Sequence, residues 1–148
     1  MKEIIVKILR ETPDAFKLEQ PSSILDYWKR FIISQDNWDP DKEAMVVFCL
    51  DSKLRIKAHS IVSIGLLDQT FAHAREVYRS AIAYASASII VSHNHPSNDV
   101  TPSSADIQTT NGLVQAGKII GIPLLDHVIV SSNGNFHYSL KQNGLFNQ

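Results

Sequence analysis

The sequence predicts an α/β fold, a mixed β-sheet flanked by helices. Three observations carry this. Strand-like runs alternate with segments of helical period along most of the chain. Two strand-like runs lie back to back around a short polar turn, as in a hairpin. A third, Ser88-Ile89-Ile90-Val91-Ser92, is a β-branched run suited to a central strand covered on both faces.

Taken in order, the N-terminal stretch MKEIIVKILRETPD interleaves charges with apolar residues and has no uninterrupted h-region, so it is not a secretory signal. Residues 1–42 read as an N-terminal helical extension. Ser22-Ser23 can cap a helix whose apolar positions are Ile24, Trp28, Phe31 and Ile32. Asp36 to Asp41 reads as a loop. The main domain is expected over 43–148. A strand over 43–50, a turn at Asp51-Ser52-Lys53 and a return strand over 54–64 form the hairpin. A helix follows over 75–84, then the strand from Ser88, which Pro96 stops because proline cannot donate to a ladder. Pro102-Ser103 opens a helix that reaches about Ile120, with Gly121 as its stop signal. A strand over 124–130, an Asn133-Gly134 turn and an edge strand over 136–138 complete the chain.

The 148 residues suffice for one domain with a real core. The net charge is -1, from 14 basic and 15 acidic side chains. A protein living on nucleic acid usually carries a basic excess to replace phosphate counterions, so the balance gives that partner no support, though it leaves a local patch open. The single cysteine, Cys49, rules out an intramolecular disulfide and any multi-cysteine zinc site, and its apolar neighbours mark it as a small buried hydrophobe. No stretch approaches the roughly 18–20 apolar residues of a membrane span. The expected location is the cytoplasm.

The chemistry concentrates in Ser92-His93-Asn94-His95-Pro96 and Ser103-Ser104-Ala105-Asp106. His93 and His95 are two apart at a strand end, so their imidazoles share one side. Ten residues separate His95 from Asp106, enough for a loop and a first helical turn to fold Asp106 back over the histidines. Two imidazoles and a carboxylate suit a catalytic zinc with water in its fourth position. The bland reading is also open: Ser103-x-x-Asp106 is a plain capping box. Both can hold at once.

The joint pattern, His-x-His-Pro with Ser and Asp at these distances, is the signature of the JAMM (MPN+) metallopeptidases. The wider runs AHAREVYRSAI, HNHPSNDVTPSSADIQTT and IPLLDHVIV resemble the RadC branch of that superfamily, over about residues 43–140. The resemblance implies a JAMM/MPN-type, cytidine-deaminase-like fold. It implies one zinc ion per chain on His93, His95 and Asp106. It implies Glu43 as the general base, with Glu76 as the rival, and Ser103 as the group that holds the zinc water or the oxyanion. Asp126-His127 matches a RadC-like pair and reads as support outside the ligand set, since a fourth protein ligand would close the open position. The chain departs from the RadC-like pattern at Asn98, where glycine is usual, at Ala74, where proline is usual, and at Thr110, where or beside which a basic residue is common. His59, His73 and His137 read as surface or satisfied core.

Four whole readings follow. The leading one is a zinc hydrolase of peptide or isopeptide bonds, with a peptide or protein substrate. The second is a binding or scaffold module without turnover, associated with DNA repair or mobile elements. A zinc deaminase would need H-x-E with P-C-x-x-C, which one cysteine excludes. A nuclease or repair factor is disfavoured by the neutral charge.

Overall fold

A computed structural model describes residues 10–65 and 74–146. Its elements in chain order are β1 (Arg10–Lys17), α1 (Ser22–Tyr27) running on into a π-helical stretch (Trp28–Ile33), β2 (Glu43–Leu50), β3 (Arg55–Gly65), α2 (Ala74–Ala83), β4 (Ser88–His95), α3 (Ser104–Ile120), β5 (Leu124–Ser131) and β6 (His137–Ser139). The strands form one six-stranded sheet in the order β1-β3-β2-β4-β5-β6. Among the described residues only β4 and β5 run parallel, with α3 as the crossover between them; the other neighbours are antiparallel. The mixed α/β sheet flanked by helices is therefore the observed fold.

The hairpin forms as the sequence predicts, because Asp51 builds its turn. Its carboxylate accepts from the backbone N–H of Lys53 and Arg55 and pairs with Arg55 Nε at 2.7 Å. The strand pleat then sends alternate residues of β2 to opposite faces. Ala44, Val46, Phe48 and Leu50 pack with Ile24, Tyr27, Trp28 and Ile32 on the α1 side. Met45 and Val47 pack with Val77, Tyr78, Leu113 and Val114 on the side of α2 and α3. Two apolar layers thus cover the sheet, and β2 and β4 are buried on both faces.

The N-terminal segment holds a helix at the predicted apolar positions, but Ser22 and Ser23 lie inside it, after a Pro21 cap. Ser23 Oγ instead accepts from the N–H groups of Glu19 and Gln20. The same segment supplies β1, a strand the sequence reading did not foresee, paired with β3. Trp28 anchors α1 to the sheet centre by donating from Nε1 to Ser92 Oγ at 2.8 Å, and Ser92 Oγ donates in turn to the Val128 carbonyl.

Candidate metal centre

β4 delivers the two histidines. Residues 89, 91, 93 and 95 alternate onto the α3 face, so His93 and His95 follow Ile89 and Val91 out of the apolar layer at the strand's C-terminal end. Their Nε2 atoms lie 3.0 Å apart. A turn over 96–98 follows, in which Asn98 takes φ 66°; asparagine tolerates the left-handed conformation where the RadC-like pattern has glycine. The chain then enters α3 through a capping box. Ser103 Oγ accepts from Asp106 N–H at 3.0 Å, and Asp106 Oδ2 accepts from Ser103 N–H at 2.8 Å.

The cap and the metal reading coexist. While Oδ2 closes the cap, Asp106 Oδ1 lies 3.2 Å from His93 Nε2, and Oδ2 lies 3.3 Å from His95 Nε2. β2 brings the fourth group, because its antiparallel register with β4 sets Met45 opposite His93 and so starts the strand, at Glu43, beside the histidine pair. Glu43 Oε1 is 3.4 Å from His93 Nε2. One ligand atom from each of Glu43, His93, His95 and Asp106 falls within 4.8 Å of the others.

The donor set fits a cation. His95 Nδ1 lies 2.7 Å from the Asp99 carbonyl, which can only accept, so Nδ1 carries a proton and Nε2 is the nitrogen turned inward to the carboxylates. Both oxygens of Glu43 and Oδ1 of Asp106 are buried without a hydrogen-bond partner. Buried acceptors facing one another without a donor cost free energy that a shared cation relieves. The titration pattern agrees. Burial pushes Glu43 up to about 7, with His95 pulling it down and Asp106 pushing it further up. Burial also works against charge on Asp106, but the facing imidazoles and the Ser103 N–H outweigh it and hold the carboxyl far below its usual range. Full burial lowers His93, partly offset by Asp106. His95 is raised: burial opposes its charge, but Asp106, the Asp99 carbonyl and Glu43 prevail.

Asp126 and His127 part company. Asp126 faces away from the cluster, accepting from Ser139 Oγ at 2.6 Å and from the N–H groups of His127 and Lys141. His127 Nε2 lies 2.7 Å from His93 Nδ1, and its own Nδ1 lies 2.6 Å from Thr110 Oγ1, whose hydroxyl donates to the Asp106 carbonyl at 2.7 Å. Asn94, on the opposite face from its neighbours, accepts from Ala44 N–H and donates to the Lys42 carbonyl and to Ser132 Oγ, clamping the backbone on both sides of Glu43. Thr110 and Asn94 were not among the predicted site residues. The i+4 spacing from Asp106 could have flagged Thr110; nothing local marks Asn94. Glu76 sits on α2, half-exposed, with its carboxylate 3.9 Å from Arg75 Nε. His59 is buried against the Tyr27 hydroxyl at 2.7 Å, His137 is half-buried in β6, and His73 lies outside the described residues. A cavity of about 430 Å³ lined by Phe31, Trp38, Lys42, Ala44 and His59 opens on the α1 face, across the sheet from the cluster.

A mixed sheet whose central strand ends in two histidines, closed by a carboxylate from the following helix and another from the neighbouring strand, defines a domain with a candidate metal centre. The family of RadC-like JAB domains matches residues 18–145. The chain belongs to that family. Among its relatives are a UPF0758 protein of Finegoldia magna, 41% identical over 84% of this chain and 54% of the relative. Others are UPF0758 proteins of Methanosarcina barkeri, 45% identical over 70% of the chain and 44% of the relative, and of Thermotoga maritima, 44% identical over 66% and 44%. The chain spans about half the length of the curated relatives it matches.

Proposed function

We propose that this chain is a zinc-dependent hydrolase that cleaves a peptide or isopeptide bond with water. The observation that carries the reading is Glu43: a buried, unpartnered carboxylate, tuned to about 7, facing the His93, His95 and Asp106 group. His93, His95 and Asp106 would hold one zinc ion. When bound, zinc polarises a carbonyl and lowers the pKa of water toward neutrality.

The remaining work belongs to the chain. Glu43, outside the ligand set, takes a proton from the attacking water as its hydroxyl joins the carbonyl carbon. It then hands that proton to the amine nitrogen as the C–N bond breaks. A pKa near neutrality suits both transfers. Ser103 Oγ spends its lone pair on Asp106 N–H, which leaves its hydroxyl proton free to steady the oxyanion. The substrate class is a peptide or protein, isopeptide-linked substrates included, and the proposed location is the cytoplasm. Among the described residues no helix is long and apolar enough to cross a membrane.

The test compares Glu43→Gln with Glu76→Gln across a panel of peptides and isopeptide-linked conjugates. Glu43→Gln should keep its zinc and lose at least about a hundredfold in rate, the usual cost of a missing base. Glu76→Gln should turn over like the parent. An active Glu43→Gln beside a dead Glu76→Gln would mean the base is the other carboxylate. A zinc-loaded parent that cleaves nothing in the panel would favour the binding-module reading.

A further inference from the structure

We propose that Thr110 and His127 are positioning residues that lock His93 in its Nδ1–H tautomer and thereby present a bare Nε2 to the metal centre. The proposal rests on the metal reading above and concerns how the chain keeps that nitrogen available.

Three short contacts run in series: Asp106 carbonyl to Thr110 Oγ1 at 2.7 Å, Thr110 Oγ1 to His127 Nδ1 at 2.6 Å, and His127 Nε2 to His93 Nδ1 at 2.7 Å. Each must contain one proton, because two bare acceptors at such distances repel. The Asp106 carbonyl has none to give, so the Thr110 hydroxyl proton points at it. Thr110 Oγ1 is then an acceptor toward His127, and His127 Nδ1 must carry the next proton. Thr110, His127 and His93 are all fully buried, which favours neutral rings. A neutral His127 protonated at Nδ1 has a bare Nε2, so His93 Nδ1 supplies the third proton. A neutral His93 protonated at Nδ1 is bare at Nε2, the atom that faces Asp106 Oδ1, Glu43 Oε1 and, at 3.0 Å, His95 Nε2, where a shared cation, or without one a proton on His95 Nε2, relieves the contact. One helix-backbone carbonyl thus sets the direction of the whole chain.

The Nδ1 proton of His95 is fixed by a shorter route, through the Asp99 carbonyl. Both ligand histidines are therefore oriented by a backbone acceptor, one directly and one through two side chains. The longer route starts on the residue that supplies the third ligand, so α3 aligns Asp106 and the His93 tautomer together.

The decisive variant is Thr110→Val, which keeps the shape and removes the hydroxyl. Nitrogen-15 NMR of the histidine rings, on metal-free protein at a pH where His93 and His127 are neutral, should show His93 protonated at Nδ1 in the parent. In Thr110→Val it should show a mixture of tautomers. Zn²⁺ affinity, measured by competition with a chromophoric chelator, should fall roughly 10–100-fold in Thr110→Val and in His127→Phe. Thr110→Ser, which restores the hydroxyl, should recover both readouts. A Thr110→Val protein with His93 still wholly Nδ1–H would overturn the proposal. So would a Thr110→Ser protein that binds as weakly as Thr110→Val, since the loss would then come from packing. A parent chain that binds no Zn²⁺ would overturn the metal reading instead, and the tautomer measurement, made without metal, would still decide the relay.

Discussion

At the scale of single residues, the site is a small set of groups whose ordinary preferences are overridden by placement. Asp106 is a helix-capping acid by sequence and remains one in the structure, yet its second oxygen stays buried and unpartnered beside two imidazoles. A cap does not need that burial, and a metal ligand does. The expected outcome of removing both imidazoles is therefore loss of the metal. The parent should purify with close to one zinc per chain by elemental analysis. His93→Ala combined with His95→Ala should purify without it, because the carboxylates left behind lack the imidazole nitrogens that a zinc site of this kind is built on. Full occupancy in that double variant would move the metal elsewhere. The His-x-His spacing was legible because a strand end puts alternate residues on one side whatever the fold. The His127 contact to His93 was not. It depends on β4 and β5 being parallel neighbours in a register that sets His127 opposite Val91, a long-range choice that no local window contains.

At the scale of elements, α3 shows why some boundaries read easily and others did not. Both its ends are written in single residues: the Ser103–Asp106 capping box, and Gly121 in the left-handed conformation at φ 85°. The N-terminal segment has no such signals. Its strand β1 exists because β3 offers an edge, and its helix slackens into a π-helical stretch where Trp28 reaches Ser92. Within α3, two glycines make opposite predictions. A Cβ on Gly117 would collide with the Tyr78 hydroxyl and come within 2.7 Å of the Ile122 carbonyl, where α2, α3 and the turn into β5 converge. A Cβ on Gly112 would meet nothing within 4 Å. Gly117→Ala should therefore destabilise by about 1–3 kcal/mol through overpacking. Gly112→Ala should stabilise by roughly 0.5–1 kcal/mol through helix propensity. Urea denaturation of the pair decides this; equal effects of the same sign would mean the close approach of Gly117 to α2 is not rigid.

At the scale of the whole molecule, the sheet separates the work of folding from the work of the site. Apolar layers cover the two faces of β2 and β4, and the titratable cluster sits at one end of those strands, beyond Met45 and Val91. The fold therefore does not need the cluster to close its core, which distinguishes it from small domains that fold only around a metal. Binding still adds stability by mass action. If free zinc stands at about 100 times its Kd, the native state gains about 2.7 kcal/mol. For a chain of this size that corresponds to a fall of roughly 5–10 °C in Tm when a chelator strips the metal. The expected result of adding chelator is a shifted melting curve with the same cooperative shape, an unchanged far-ultraviolet spectrum at room temperature, and recovery of the original Tm when zinc is restored. Outright unfolding on chelation at room temperature would show instead that the charge repulsion between Glu43 and Asp106, and their unpartnered oxygens, exceed what the two apolar layers can hold.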